Sequence, residues 1–233
     1  MARPLGKGEK PLDWVGSSKK EFLSFPARVK DAMGAALGVA QFGGRRPAAK
    51  PWKGVFEVVE DHVGDTCRAV YTGPLPRSRV RAARVSEEAA ERRPDCDDRR
   101  RTHRRLKFAL ADHEADMAKR IPSRDTSGDT ISRSTGNVFA DLGYADAEER
   151  QTKLRLALAI NDILASKRLT QSEAAALLGV GQPKISALAR YRLEGFSVER
   201  LITFLTALDR DVEIKIKKKP RVRATGRVLV IAA

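Results

Sequence analysis

Apolar residues recur at helical spacing through most of the C-terminal third of the chain. The stretch from Ala145 to Ser166 carries one apolar face, which predicts a single long helix. A second stretch after Ser197, a residue suited to cap a helix, predicts a last helix. The face residues are Leu154, Leu158, Ile160, Ile163 and Leu164 in the first helix, and Val198, Leu201, Ile202, Leu205 and Leu208 in the second.

Between these two helices, the segment Leu169–Arg192 combines a helix start, a turn and a second helix start. Thr170 followed three residues later by Glu173 is the sequence of a capping box, so a helix should begin at Gln171. Gly179 can end that helix, because glycine tolerates positive φ. Pro183 suits the first turn of a helix and not its interior, which predicts a second helix over about Pro183–Arg190.

Three further residues of this segment favour two crossed helices. Ala175 is a small residue at the expected contact, and Ile185 and Leu188 supply apolar anchors for the second helix. The pattern predicts a helix-turn-helix. The alternative is a pair of ordinary core helices, since helices joined at a glycine turn also occur in proteins that bind no nucleic acid.

The last residues of the chain change from a helical to a two-residue period. DVEIKIKKK alternates Val212, Ile214 and Ile216 with charged residues, which is typical of a half-buried strand, and RVLVIAA is a candidate second strand. A strand added to a helical domain has an unpaired edge, so residues 211–233 are a candidate dimer interface.

The N-terminal residues predict a helical pair and a hairpin. Lys10–Val15 is a short apolar lead-in that could form a strand. A short helix carrying Phe22 and Phe25 should then break near Pro26, and a second helix over about Ala27–Phe42 should end at Gly43 and Gly44. Two β-rich runs, Val55–Glu60 and Cys67–Thr72, flank HVGD and predict an antiparallel hairpin.

The segment from Gly73 to Arg105 shows neither the helical spacing of apolar residues nor the two-residue alternation of a strand. It holds eleven arginines and has no large aliphatic or aromatic residue between Arg77 and Arg105 other than valine, so we expect no core strand in it. Three interpretations stay open: a solvated basic linker, a basic arm that binds RNA or DNA, and coding sequence translated out of frame.

A polar stretch rich in serine and threonine follows Met117 and predicts a flexible arm. The fold class is therefore α+β in two modules, an N-terminal helical pair with an antiparallel sheet and a C-terminal helical domain with an appended strand or hairpin. The predicted divisions are residues 1–72, an Arg-rich segment 73–116 ending in a helix, the arm 117–144, the helix-turn-helix domain 145–210 and the tail 211–233.

The charge and composition of the chain limit the classes of partner and of bound group that we expect. A formal net charge of +15 makes a polyanion the natural partner. The two cysteines, Cys67 and Cys96, lack further Cys or His at zinc-ligand spacing, so we expect neither a structural metal nor a disulfide scaffold, and no cofactor is indicated. No apolar run is long enough to span a membrane. The charge does not choose between DNA, RNA and the ribosome. Together these features predict a cytoplasmic protein.

If the helix-turn-helix binds DNA, its second helix enters the major groove. Gln182 can pair with adenine, Lys184 can reach guanine O6 or N7, and Ser186 can bond a base or a phosphate. Arg190, Arg192 and the side-chain amide of Gln171 are candidate phosphate contacts. Ala187 is a further exposed position on the same helix. For each of these residues the alternative is a solvated surface position.

The C-terminal module resembles a known family. SRSTGNVFADLGYADAEERQTKLRLALAINDIL followed by the helix-turn-helix is similar to HigA-like antitoxins of the Cro/C1 (XRE) class over about residues 130–233. The resemblance implies a protein that binds a toxin, in cis or in trans. It also implies that the protein represses its own toxin-antitoxin operon by binding operator DNA as a homodimer.

The N-terminal residues resemble the toxins of such operons. KPLDWVGSSKKEF, AQFGGRRPAAKPWKG and VFEVVEDHVGDTCRAVYT are similar to HigB/RelE-like toxins of the phage-derived type over about residues 10–72. This implies a metal-free ribonuclease that cuts messenger RNA on the ribosome, with Arg68 at the family's basic strand position. His62 and Tyr71 are weaker catalytic candidates, with alternatives as a hairpin surface residue and a core residue.

The toxin resemblance stops after residue 72, where the family continues into a strand followed by a basic cluster. Two hypotheses about function follow. In the first, the chain is an antitoxin-type transcriptional repressor fused to a toxin-like segment that is inactive. In the second, it is an active mRNA interferase inhibited in cis by its antitoxin half.

Overall fold

A computed structural model of the chain describes residues 9–52, 55–62, 65–72, 80–89, 131–219, 221, 226 and 228–231. The chain divides into two compact units, unit 1 over Met1–Tyr144 and unit 2 over Ala145–Ala233. Of the two cysteines, Cys67 is a buried thiol that forms no disulfide with a described residue, and Cys96 lies outside the described residues. No described helix combines the length and the apolar composition needed to cross a bilayer.

Unit 1 consists of a six-stranded sheet with helices against it. Its elements in chain order are β1 (Leu12–Val15), α1 (Ser18–Ser24), α2 (Ala27–Gln41), β2 (Lys50–Trp52), β3 (Val55–His62), β4 (Asp65–Tyr71), β5 (Val80–Ala89), β6 (Ile131–Arg133) and the short helix α3 (Val138–Asp141). The strand order is β2-β3-β4-β5-β1-β6, with β1 parallel to β5 and the other neighbours antiparallel. The predicted first strand, helical pair and hairpin all form.

The core of unit 1 lies between the sheet and its two longer helices. Trp14 and Phe22 are fully buried, and their rings meet edge to face with centroids 5.1 Å apart. The C-terminal part of α2 is rich in alanine and glycine, which lets the helix backbone approach the sheet closely. Pro26 stands directly before α2, where its missing N–H costs no helical hydrogen bond.

The prediction that the Arg-rich segment supplies no core strand is wrong. Strand β5 lies inside the sheet, between β4 and β1. Val80 and Ala82, the two positions of β5 whose side chains are described, are fully buried. The hydrogen bonds that hold a strand between two neighbours come from the backbone, so β5 can lie inside the sheet without large apolar side chains. The sheet therefore continues beyond residue 72.

The segment 117–144 also differs from the flexible arm that its composition predicts. Residues 117–130 lie outside the described residues, but residues 131–144 contribute β6 and α3 to unit 1. The side chain of Asn137 caps α3 by accepting from the backbone N–H groups of Phe139 and Ala140. The polar composition of residues 131–144 did not reveal strand β6, because its partner strand β1 lies far away in the sequence.

Unit 2 is helical. Its helices are α4 (Ala147–Ser166), α5 (Gln171–Leu178), α6 (Gln182–Ala189) and α7 (Val198–Ala207). Helix α4 contacts both α6 and α7, and α5 contacts α6. The buried apolar side chains come from all four helices, with Leu154, Ile160, Leu188, Leu201 and Phe204 almost completely inaccessible. The predicted long helix and last helix are confirmed, including the Ser197 cap, whose Oγ accepts from the N–H of Arg200 at 3.2 Å.

The predicted C-terminal strands do not form among the described residues. Residues 211–219 and 228–231 have no regular secondary structure, and the side chains of Ile214 and Ile216 are 79% and 93% exposed. An alternating pattern describes a strand only when a partner strand completes its hydrogen bonds. In this structure of one chain, no partner strand lies beside the described tail residues.

Candidate nucleic-acid interface

The first helix of the predicted motif starts with the expected capping box. The Oγ1 atom of Thr170 accepts from the backbone N–H of Glu173 at 3.3 Å, and the carboxylate of Glu173 accepts from the backbone N–H of Thr170 at 2.7 Å. The hydrogen bonds that this carboxylate accepts from the backbone and the hydroxyl of Thr170 lower the pKa of Glu173. Two backbone N–H groups at the helix start are thus satisfied, which is why the helix begins at Gln171.

The turn between α5 and α6 depends on a left-handed backbone position. Gly179 has a φ of 62°, and the N–H of the next residue, Val180, bonds back to the carbonyl of Ala175 at 3.0 Å. Gly181 caps α6 with an extended backbone, and Pro183 lies in the first turn of the helix. Helix α6 begins one residue before Pro183, as proline's place in a first turn requires.

One side of α6 is anchored in the core of unit 2. Ile185 and Leu188 are 3% and 0% exposed, as predicted. Asn161 of α4 donates from Nδ2 to the carbonyl of Leu188 at 3.1 Å, an anchor that sequence reasoning missed. Tyr191 is also buried and bonds Asn161, and burial is the main cause of its raised pKa. Helix α6 is therefore held by α4 along its last turn.

The other side of α6 faces outward with polar residues. Gln182 at the start of the helix and Arg190 just after its end are exposed, and Ser186 between them is half-buried. These residues are four apart, so they lie along one face of the helix. Ala187 is half-buried, and Arg192 and Gln171 are exposed at neighbouring positions of the motif. These six predicted DNA-contacting residues thus lie at the accessible surface of the motif.

Lys184, the seventh predicted residue, is exposed, and its ammonium group contacts other residues of unit 2. Its ammonium donates to the carbonyl of Gly195 at 3.0 Å and lies 4.9 Å from the ring centroid of Phe196. Phe196 is buried and packs edge to face on Phe204 of α7. Gly195 has a φ of 74°, which turns the chain just before α7. Lys184 therefore connects the first turn of α6 to the loop that precedes α7, a contact that residue spacing could not reveal.

The three catalytic candidates of unit 1 do not converge. Arg68 lies opposite Val59, and Tyr71 lies opposite Phe56 in the pairing of β3 with β4. Since directly opposed residues share a sheet face and neighbours along a strand alternate, Arg68 and Tyr71 point to opposite faces. His62 lies at the end of β3, opposite Asp65.

The local environments of Arg68 and Tyr71 are those of structural residues. The Arg68 guanidinium forms an ion pair with Glu57 at 3.3 Å, and the two side chains are 19% and 13% exposed. Tyr71 is buried, stacks on Phe56, and its hydroxyl has no hydrogen-bond partner among the described residues. Burial raises the pKa of Tyr71 to about 12, against the opposing effect of Arg46 and Arg45. No group of three or more potential metal ligands occurs among the described residues.

Comparison with known proteins agrees with this geometry. A family model described as a helix-turn-helix domain matches residues 138–217. This part of the chain is a helix-turn-helix module of the kind found in DNA-binding transcriptional regulators. No curated protein matches the chain.

A solved structure named as a putative XRE-family transcriptional regulator is 66% identical in sequence, and the match covers 38% of this chain and 99% of that one, with a TM-score of 0.36. Because the identity is high over nearly the whole length of that relative, the chain belongs to the XRE family.

Proposed function

We propose that the chain is a sequence-specific, antitoxin-type repressor that binds the operator of a toxin-antitoxin operon through α6. The observation that carries the proposal is the two-sided character of α6. Ile185 and Leu188 fix one side in the core, and Gln182, Ser186 and Arg190 form the accessible side. A helix held this rigidly presents its polar side chains in one register, which base recognition in a groove requires.

Different roles are proposed for the residues along α6. Gln182, at the first position of the helix, reads adenine through its amide, and Ser186 one turn later contacts a base or a phosphate. Arg190, Arg192 and Gln171 hold phosphates. Lys184 can contact guanine, but its ammonium must then share or release the bonds to Gly195 and Phe196. Ala187 lines the same surface without a hydrogen-bonding group.

The proposal is tested by titrating the full chain with DNA from upstream of its own gene and with a scrambled duplex of equal length. Gln182→Ala should weaken specific binding by about 5- to 150-fold, equivalent to about 1–3 kcal/mol, and leave binding to the scrambled duplex unchanged. Arg190→Ala should weaken both, and it should reduce the dependence of affinity on salt. Ser166→Ala, at the end of α4, is the control, because its exposed Oγ bonds the carbonyl of Ile163 within its own helix.

Equal loss on both duplexes for Gln182→Ala would remove this residue from base readout. No specific binding to any duplex from the upstream region would reject the operator proposal itself. We further propose that the repressor binds as a dimer. Protection of two half-sites separated by about one helical turn would support this, since two-fold symmetric proteins of this class place their reading helices at that spacing.

For unit 1 we propose a toxin-like domain without ribonuclease activity. The supporting observations are the opposite orientation of Arg68 and Tyr71 and the ion pair that occupies Arg68. Expression of Met1–Tyr144 without unit 2, and of the same fragment carrying Arg68→Ala, should leave translation in cells equally unaffected. A translational arrest that the wild-type fragment causes and the variant fragment does not would favour the alternative, an active mRNA interferase inhibited in cis by the C-terminal half.

A further inference from the structure

The exposed apolar side chains of the described residues are concentrated in the C-terminal tail, residues 211–233. Seven large hydrophobic side chains are exposed, and five of them lie in this tail: Ile214, Ile216, Val228, Leu229 and Ile231. Single hydrophobic residues are common on protein surfaces, but such a concentration in one short segment is typical of an interaction surface. The tail is therefore where we expect a partner to bind.

The first part of the tail, Asp211–Lys217, has a regular order of apolar, acidic and basic residues. In an extended backbone, successive side chains point to opposite faces. The apolar face carries Val212, Ile214 and Ile216, and the charged face carries Asp211, Glu213, Lys215 and Lys217. On the charged face the first two residues are acidic and the last two are basic. None of these four side chains forms an ion pair with a described residue of the same chain.

The charged faces of two copies match when the segments pair antiparallel about Ile214. In that register, residues equally far before and after Ile214 face each other. Glu213 then faces Lys215 of the second copy, and Asp211 faces Lys217. The two-fold symmetry of the pair repeats each contact, so every acidic residue of the segment faces a basic one. Directly opposed residues of opposite charge stabilise a sheet.

The apolar faces match in the same register, and other arrangements lose the match. Val212 faces Ile216 of the second copy, and Ile214 faces its own copy on the axis. A parallel pair in register would set acidic residues against acidic ones and basic against basic. An axis at Lys215 would place that lysine opposite itself and Val212 opposite Lys218. Like charges directly opposed destabilise a sheet, so the charge order favours one orientation and one register.

The structure of the single chain shows what a second copy would supply. Residues 211–219 have no regular secondary structure, and no described strand lies beside them. An identical segment can complete the backbone hydrogen bonds of such an unpaired strand. Two short strands alone are marginally stable in water. The exposed side chains of Val228, Leu229 and Ile231 offer further apolar surface for burial in a dimer.

We propose that the segments Asp211–Lys217 of two copies pair as antiparallel strands about Ile214, and that this pair is the dimer interface of the chain. The partner is a second copy of the same protein. Pairing ends at the limits of the segment, because Arg210 would face Lys218 beyond them. The inference deepens the proposed function and rests on it for the existence of a dimer, but it requires no operator DNA.

Two charge-reversal variants of the full chain test the interface by analytical ultracentrifugation. Asp211→Lys/Glu213→Lys makes the charged face wholly basic, and Lys215→Glu/Lys217→Glu makes it wholly acidic. Each variant alone should have a dimer dissociation constant at least about tenfold above that of the wild type, because like charges then face each other. An equimolar mixture of the two should form a heterodimer with near wild-type affinity, because opposite charges face each other again.

Two neighbouring lysines provide a matched control for net charge. Lys217→Glu sets two carboxylates opposite each other at Asp211 and should weaken the dimer. Lys218→Glu makes the same change in net charge one position further on, where it replaces a like-charge pair with Arg210 by an opposite one. That variant should dimerise as tightly as the wild type or more tightly. Equal weakening by the two substitutions would overturn the proposed pairing.

Cysteine cross-linking tests the register. The background is the full chain with Cys67→Ala and Cys96→Ser. There Ile214→Cys should form an intermolecular disulfide on mild oxidation, because directly opposed Cα atoms lie about 4.5–5.5 Å apart. Ile216→Cys should not, because the two copies of that position are displaced by about 13 Å along the strands. Electrophoresis without reductant compares the two variants.

The outcomes separate this inference from the proposed function. A monomeric wild-type chain, charge-reversal variants that dimerise as tightly as the wild type, or a mixture that dimerises no better than its components would overturn the inference. Equal cross-linking of Ile214→Cys and Ile216→Cys would overturn it too. A dimer that shows the expected charge dependence and cross-linking but binds no DNA from upstream of its gene would reject only the operator proposal.

Discussion

The indole N–H of Trp14 donates a 3.1 Å hydrogen bond to the carboxylate of Asp141, across 127 positions of sequence. Both residues are buried, Trp14 on β1 and Asp141 at the end of α3. The bond joins the first strand of unit 1 to its last helix.

Asp141→Ala should lower the free energy of unfolding of unit 1 by about 1–3 kcal/mol, because the buried Trp14 donor loses its partner. Trp14→Phe should have an effect of the same sign, since it removes the donor from a buried carboxylate. Urea denaturation followed by far-UV circular dichroism measures both. A change below about 0.5 kcal/mol, the range of ordinary surface substitutions, would contradict the prediction.

Tyr71→Phe should leave the stability of unit 1 unchanged or raise it by about 1 kcal/mol, because the variant removes a buried hydroxyl that has no described partner. Most substitutions in a protein core lower the free energy of unfolding, so the expected effect has the opposite sign. The same unfolding experiment tests it. A loss of more than about 1 kcal/mol would indicate that the hydroxyl has a partner that supports the fold.

The pKa of Tyr71 gives a separate prediction at alkaline pH. Its folded pKa of about 12 lies above the ordinary tyrosine value of 10.0, so the folded state binds the phenolic proton more tightly than the unfolded state. Its contribution to stability should be complete below pH 10 and be lost as the pH rises towards 12. Because burial also raises the pKa of Tyr191, ultraviolet titration of the wild-type chain should show late-ionising tyrosines, and their number should fall by one in Tyr71→Phe.

Thr170→Ala should destabilise unit 2 by about 1 kcal/mol through loss of the cap on α5. Glu173 makes this effect pH-dependent. Because its folded pKa is lowered, the stabilisation by its carboxylate is present above the ordinary glutamate pKa of 4.5 and lost as the pH falls through the lower folded pKa. The difference between wild type and Thr170→Ala in thermal unfolding should therefore shrink below that pH. If the difference between the two unfolding temperatures stays constant as the pH is lowered until the protein unfolds in acid, the charge of Glu173 is not involved.

Gly179 and Gly181 offer a matched pair of serine substitutions in one turn. Gly179→Ser should lower the free energy of unfolding of unit 2 by about 1–2 kcal/mol, because φ is 62° at this position. No other atom lies within 4 Å of the place that a Cβ atom would take, so steric contacts add nothing to this cost. Gly181→Ser should be neutral or stabilising, because that residue has an extended backbone and caps α6. Thermal unfolding of unit 2 compares them. Equal effects would mean that backbone conformation is not what requires glycine at position 179.

Lys184→Met should lower the stability of unit 2 by about 0.5–1 kcal/mol, since methionine keeps much of the side-chain volume but loses the contacts with Gly195 and Phe196. In a double-mutant cycle, Phe196→Leu should remove most of the effect of Lys184→Met. Additive effects in that cycle would show that the ammonium and the ring do not interact in solution.

The helix-turn-helix was predictable from sequence because its determinants are local. A capping box joins residues three apart, a left-handed turn needs glycine at one position, and proline is confined to a first turn. Thr170, Glu173, Gly179 and Pro183 satisfy these requirements without help from distant residues. The inward positions Ile185 and Leu188 follow from helical periodicity alone, and so does the outward face that carries Gln182.

The sequence by itself thus determined the helices of unit 2, the strand β1, the helical pair and the β3–β4 hairpin. Only the tertiary structure decided that Val80–Ala89 is an interior strand, that residues 131–144 belong to unit 1, and that the alternating tail remains without strand partners among the described residues. It also decided that Lys184 contacts Gly195. The physical reason is the same in each case. Strand pairing and side-chain contacts depend on which distant part of the chain lies alongside, and the composition or periodicity of one segment does not identify that distant part.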